Sequence, residues 1–261
     1  MRSIATVLVC VLVFLVGAGL GIIAVVKVQD AAARIKCANN LRLLALSIHN
    51  YHDSREVFPQ AEMANPDLPP ESRFSWIVVI LPFVQSDDFY SRMDKEKGWD
   101  AEENHFAAVS FEYQYLVQCH GCADRRPAST LVSTNYVGIA GLGLDAASLP
   151  AGDPRAGFFG RDRKLTGEEI QGRMATLLVA LETAQASGAW TAAGFPTVRG
   201  LEGDLPYLGS GRPWGGTHRS GTLALFADAS ARFLPESIDP RVLEAAAVLK
   251  GGEEAKRILD N

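Results

Sequence analysis

Ile4-Ala-Thr-Val-Leu-Val-Cys-Val-Leu-Val-Phe-Leu-Val-Gly-Ala-Gly-Leu-Gly-Ile-Ile-Ala-Val-Val26 is the stretch whose reading decides this architecture. No charged residue falls inside it; Arg2 precedes it and Lys27 follows it. As an α-helix it rises about 35 Å, against a hydrocarbon core of about 30 Å. The helical pattern does not stop at Lys27. From Asp30 to His52 there is neither Pro nor Gly. Ile35, Ala38, Leu41, Ala45, Ile48 and His52 recur at three- and four-residue steps, which places them on one helix face. The expectation is one long helix, its first half in lipid and its second half, residues 30–53, packed on a water-soluble domain.

A cleaved signal sequence is the competing reading. Arg2 is a minimal basic region, and Gly17-Ala-Gly-Leu-Gly21 supplies small residues. Ile22 to Val26 carry the apolar run past the usual length of a signal core, and the helical register continues. Both favour an uncleaved anchor over residues 1–29, with the domain over 30–261. Gly17-x-x-x-Gly21 permits close approach of a second helix. Cys10 has Val9 before it, where a lipidation signal wants a small residue, and is read as lipid-facing or packed. Lys27, Arg34 and Lys36 outnumber Arg2; taken alone, that count places the domain in the cytoplasm.

The 261 residues allow one sizeable core plus the anchor. The formal net charge of −5 argues against a nucleic-acid partner, which needs clustered Lys and Arg. The runs Asp94-Lys-Glu-Lys97 and Arg161-Asp-Arg-Lys164 are short or mixed in sign and read as solvated faces. Four cysteines are too few for a disulfide-built scaffold.

Beyond the helix, Val57-Phe58-Pro59 starts an extended exit, because a residue before proline leaves the α region. Ser75-Trp-Ile-Val-Val-Ile-Leu-Pro-Phe-Val84 reads as helical turns capped by Ser75 and broken at Pro82. Ala101 to Val109 reads as a short helix, and Tyr113 to Gln118 as a strand leading to Cys119. Thr130 to Ala140 and Met174 to Glu182 read as strands. Gly194 to Gly216 is rich in Gly and Pro and reads as irregular surface. Thr222 to Ala227 and Ser230 to Leu234 flank Asp228-Ala229, a hairpin pattern in which Ala stands where a tight turn wants Gly. Asp239 as N-cap, Pro240 at the first helical position and Gly251-Gly252 beyond Leu249 define a last helix. Helices at the ends with strands between them indicate an α+β domain, its long helix packed on an antiparallel sheet.

Few constellations point to chemistry. Cys119-His-Gly-Cys122 lacks the βαβ frame of a redox pair. As half of a zinc site it needs a second ligand pair, for which only the distant His49-x-x-His52 is on offer. Three readings stay open: first a short disulfide if the domain is extracytoplasmic, then two buried thiols if it is not, and last a metal or redox pair. His49, His52 and Asp53 read as helix-end packing groups rather than metal ligands. His218 and Asp228 are half of a hydrolase triad, but no serine sits in a nucleophile-elbow context. Their bland reading is a turn-anchoring hydrogen bond. Gly138, Gly141 and Gly143 precede no helix in a βαβ unit, which argues against a phosphate loop. No catalytic residue, metal ligand or cofactor is assigned.

Taken together, several blocks resemble the DUF1559 family, a planctomycete group of unknown function also described as prepilin-processing-associated proteins with an H-X9-DG motif. Cys37-Ala-Asn-Asn-Leu-Arg-Leu-Leu-Ala-Leu-Ser-Ile-His-Asn-Tyr-His-Asp53 resembles the family's segment after its first helix, and Phe58-Pro59 follows in kind. Ser75-Trp76, Ile80-Leu-Pro-Phe83 and Thr134-Asn-Tyr136 resemble later blocks. His218 and Asp228 occupy the ends of the H-X9-D motif, and Ile238-Asp239 and Gly251-Gly-Glu253 close the pattern. The motif's Gly is Ala229 here. Met1-Arg-Ser-Ile-Ala-Thr6 is not a prepilin-type start, and no glutamate falls in the apolar run, so prepilin-type cleavage is not expected.

The resemblance implies a type IV pilin or pseudopilin-like architecture, with the α+β domain outside the cytoplasm. It brings no activity with it. The expectation is a single-pass structural or interaction protein of the cell envelope, with no catalysis. Its partners would be the lipid bilayer, lateral helices and envelope assembly components. The alternative is a tethered binding module for a solute or glycan, using Trp190, Trp214, His218 and Asp228.

Overall fold

The computed structural model describes residues 2–84, 87–110, 112–119, 131–185 and 187–260. One helix, α1, runs unbroken from Arg2 to Arg55, a rise of about 80 Å. Its N-terminal part is long and apolar enough to cross a membrane. Leu12, Phe14, Leu15, Ile22 and Val28 are exposed along it.

From Asp30 onward the same helix meets the rest of the chain. Arg34 pairs with Asp30 (2.8 Å), donates to the Arg219 carbonyl (2.7 Å) and lies 3.9 Å over the Phe233 ring. Cys37, Leu41, Leu44, Ala45 and Ile48 are then buried against the domain. Each fully buried aliphatic side chain among them contributes roughly 1.5–3 kcal/mol. Ala38, Leu41, Ala45 and Ile48 are buried as expected, whereas Ile35 is 62% exposed, and Cys37 and Leu44 join the buried face. At the helix end, His49 donates through Nε2 to the Ala227 carbonyl (2.9 Å), and His52 stacks on Phe58. Both are packing groups, as read.

The sheet has five strands: β1 (Tyr136–Leu142), β2 (Leu178–Glu182), β3 (Val198–Leu201), β4 (Gly221–Phe226) and β5 (Ala231–Pro235), in the order β3-β1-β2-β4-β5. β1 and β3 are parallel; the other neighbours are antiparallel. The shorter helices are α2 (Trp76–Ile80), α3 (Asp87–Ser91), α4 (His105–Val109), α5 (Gln114–Val117), α6 (Gly167–Ile170) and α7 (Pro240–Ala247). α1 packs on β4 and β5, and α7 on β1 and β2. Alternation along the strands feeds two cores. Val179, Leu223 and Leu225 join α1 in one; Leu178, Ala224 and Phe226 join Val242 and Leu243 of α7 in the other.

Several local expectations hold. The Ser75 side chain accepts from the Val78 N–H at the start of α2, and Asp239 caps α7 ahead of Pro240. Others do not. Tyr113 to Gln118 contains helix α5 rather than a strand: Tyr113, Leu116 and Val117 bury one face at i, i+3, i+4, and the Tyr113 carbonyl accepts from both Leu116 and Val117. The Gly194–Gly216 stretch is not all surface. It contains β3, buried throughout and paired with β1. Gly200 is needed there because a Cβ would run into the Gly143 carbonyl. The first sheet strand starts at Tyr136, later than expected. Beyond Gly251-Gly252 a further 3-10 helix, Glu253–Asp260, packs back through Ala255 and Ile258.

The β4–β5 hairpin also differs in detail. Leu225 pairs with Ala231, and the Phe226 carbonyl accepts from the Ala229 N–H. The loop is therefore three residues, a turn followed by Ala229 at φ +65°.

A buried thiol, imidazole and carboxylate cluster

The four residues nominated for binding do not come together. Trp190 and Trp214 are fully buried in different cores. Trp190 packs near Phe89 and Tyr113 and donates to the Ala107 carbonyl (3.2 Å). These rings are core, not a ligand platform. Asp228 stays in its hairpin, accepting from the Ser230 backbone and hydroxyl and from Arg232 at 2.9 Å. Asp228 thus anchors the turn through Ser230 and Arg232, not through the expected hydrogen bond to His218. None of the four lines the open cleft of about 600 Å³ between Tyr51, Arg55, Gln60, Glu62 and Tyr90. Cys122 lies outside the described residues.

His218 has a different set of neighbours. Cys37 of α1, Cys119 after α5, Glu182 at the end of β2 and His218 ahead of β4 converge in the interior, each buried. One donor atom from each lies within 4.8 Å of the others. The two Sγ atoms are 2.9 Å apart. Cys119 Sγ lies 3.4 Å from His218 Nε2, which lies 3.4 Å from Glu182 Oε2.

The surroundings hold this geometry in place. Asn135 accepts from the Cys119 N–H (2.9 Å) and donates to the Thr183 carbonyl (2.9 Å), fixing the Cys119 backbone to the end of β2. Glu182 Oε2 accepts from the Thr217 hydroxyl (3.1 Å) and the Leu223 N–H (3.0 Å). Its Oε1 has no hydrogen-bond partner, nor does His218 Nδ1, which faces Asp30 at 3.9 Å. Asn40 donates to the Tyr136 hydroxyl at 3.4 Å beside the cluster.

The electrostatics follow from burial and proximity. Contact with Cys119, then burial, pushes the Cys37 thiol far above the ordinary thiol range. Burial alone would lower the His218 value, but Cys37 and Glu182 outweigh it and raise it to about 9. Burial raises the Tyr136 phenol. The cluster is thus two sulfurs, an imidazole and a carboxyl group buried together and shielded from water.

Residues 27–164, just over half of the chain, match a family model described as a protein of unknown function, DUF1559. The chain belongs to that family. No curated protein and no solved structure matches it. The DUF1559 match spans Cys37 and Cys119, whereas Glu182 and His218 lie beyond it. The His218-to-Asp228 block that carried part of the resemblance is therefore outside the matched residues.

Sequence reasoning found Cys119 and His218 but missed Cys37 and Glu182. Signals for both existed. Cys37 lies on the packed face four residues before Leu41, and Glu182 closes the apolar run Leu177-Leu-Val-Ala-Leu-Glu182. A carboxylate at the end of a strand buried on both faces needs a partner.

Proposed function

We propose that this DUF1559 protein is a single-pass, membrane-anchored structural or interaction protein of the cell envelope. It is pseudopilin-like in build, with residues 1–29 as anchor and 30–261 as a head outside the cytoplasm. The observation that supports the reading is the division of α1. One continuous helix exposes Leu12, Phe14, Leu15 and Ile22 along its first half and buries Leu41, Leu44 and Ile48 in its second. Large exposed apolar surface of that extent calls for lipid or partner helices. A helix with no break passes any lateral contact in the membrane directly to the head. The reading assigns no catalytic step, and its partners are the bilayer and neighbouring helices.

Fractionation with protease protection tests it. The full chain should require detergent for release, and the head in intact cells with a permeabilised outer layer should be open to added protease. Recovery from the soluble fraction without detergent would remove the anchor. A protected head would reverse the orientation. Crosslinking within the membrane should yield lateral adducts through residues 11–28; a strictly monomeric pattern would count against an assembly role.

A further inference from the structure

We propose that Cys37, Cys119, Glu182 and His218 form a structural site for a thiophilic divalent metal ion of the zinc type, clamping α1 to the sheet.

Four donors from four segments far apart in sequence meet at one buried point. Two thiolates, an imidazole and a carboxylate are a ligand set that suits tetrahedral zinc. On such an ion the ligand atoms stand about 3.4–3.8 Å apart, from bond lengths of about 2.0–2.3 Å. The Cys119–His218 and His218–Glu182 separations, both 3.4 Å, already fit. The thiol pair at 2.9 Å must open slightly, and all four donor atoms lie within 4.8 Å of one another. Glu182 Oε2 is the oxygen that faces His218 Nε2, and Oε1 is buried without a hydrogen-bond partner, so the carboxylate has capacity left for an ion. Asp30 lies on the far side of the imidazole, 3.9 Å from Nδ1. That is where a carboxylate orients a metal-bound histidine.

A Cys37–Cys119 disulfide is the competing occupant. It would use the two sulfurs and leave the buried Glu182 carboxylate and His218 imidazole unexplained. The metal uses all four. On binding, two thiol protons and the imidazolium proton pass to solvent. The ion's two positive charges then face three anionic ligands and a neutral imidazole. With four buried protein ligands and no open position, the site is structural rather than catalytic.

The test uses the full chain, purified in detergent under anaerobic reducing conditions. Elemental analysis should give about one equivalent of zinc per chain. Cobalt(II) added to stripped protein should give tetrahedral ligand-field bands with thiolate-to-cobalt charge transfer. Cys37→Ser and Glu182→Gln should weaken or abolish those bands, while chelation should lower the melting temperature of the wild type. Because either variant may fail to fold, the wild-type cobalt titration decides by itself. Folded, reduced wild type that takes up no cobalt overturns the proposal. So does a metal-free Cys37–Cys119 disulfide in peptide maps of protein taken from native membranes.

Discussion

The two halves of α1 share a backbone and a richness in aliphatic side chains, yet they solve the same problem differently. Between residues 11 and 28, Val11, Leu12, Leu15, Val16, Ile22, Val25 and Val28 are all exposed. Along residues 37–48, Leu41, Leu44, Ala45 and Ile48 are gathered on one face and buried, while Asn39 and Arg42 share the exposed side with Leu43 and Leu46. Among the described residues, the first half joins no core of the head. The second packs on one face of the sheet, within one core. Apolar content alone therefore does not say where a helix belongs. The distribution of its polar residues around the axis does.

The largest expected effect breaks the packed half. Leu44→Ala removes a fully buried side chain and should destabilise the head by about 2–5 kcal/mol. In near-UV circular dichroism melts in detergent that is a drop of many degrees. Leu15→Ala should leave the same melt unchanged, since Leu15 touches no core. Equal effects from the two would erase the distinction.

Next comes a charge in the exposed half. Leu15→Arg should weaken membrane insertion by about 3–4 kcal/mol, read as protein shifting to the soluble fraction, with no change in the melt of the head. If the head melts lower, the two halves are not independent.

A smaller effect sharpens the comparison from the side of the head. Ala229 sits at φ +65°, where a Cβ is strained. Ala229→Gly should raise stability by about 1 kcal/mol or less, a shift of a few degrees, while leaving the membrane fraction untouched. An unchanged or lower melting temperature would mean that the hairpin loop stores no strain.

The smallest is a pH effect. Glu62 is buried beside Arg73 (2.8 Å) and Arg161 (3.7 Å), and burial outweighs them to raise its carboxyl above the ordinary 4.5. The folded state then holds this proton more tightly than the unfolded state. Glu62 accordingly contributes stability that is complete below pH about 4.5 and lost as pH rises through the folded value. Compared with Glu62→Gln, the wild type should lose stability with rising pH across that window. A difference that stays flat would place Glu62 in water.

Much of this was legible in the chain. The unbroken helix, the Ser75 and Asp239 caps, the β4–β5 pairing and the family blocks are written in local periodicity and punctuation. The misses have local causes. α5 is four residues long, so its aromatic and β-branched composition imitated a strand. β3 is four residues set among glycines and prolines, too short for any pattern to show. The buried cluster was half visible: Cys119 and His218 stood out as reactive residue types, but no spacing rule joins positions 37, 119, 182 and 218.

Sequence by itself determined the rod, its apolar first half and its packed second half, because one turn of helix repeats its neighbours every three or four residues and side chains there compete only locally. The tertiary structure alone decided which buried polar groups meet. The ends of β2 and β4, the face of α1 and the loop after α5 become neighbours only once the sheet has ordered its strands as β3-β1-β2-β4-β5. That ordering depends on long-range packing, for which the local pattern carries no code.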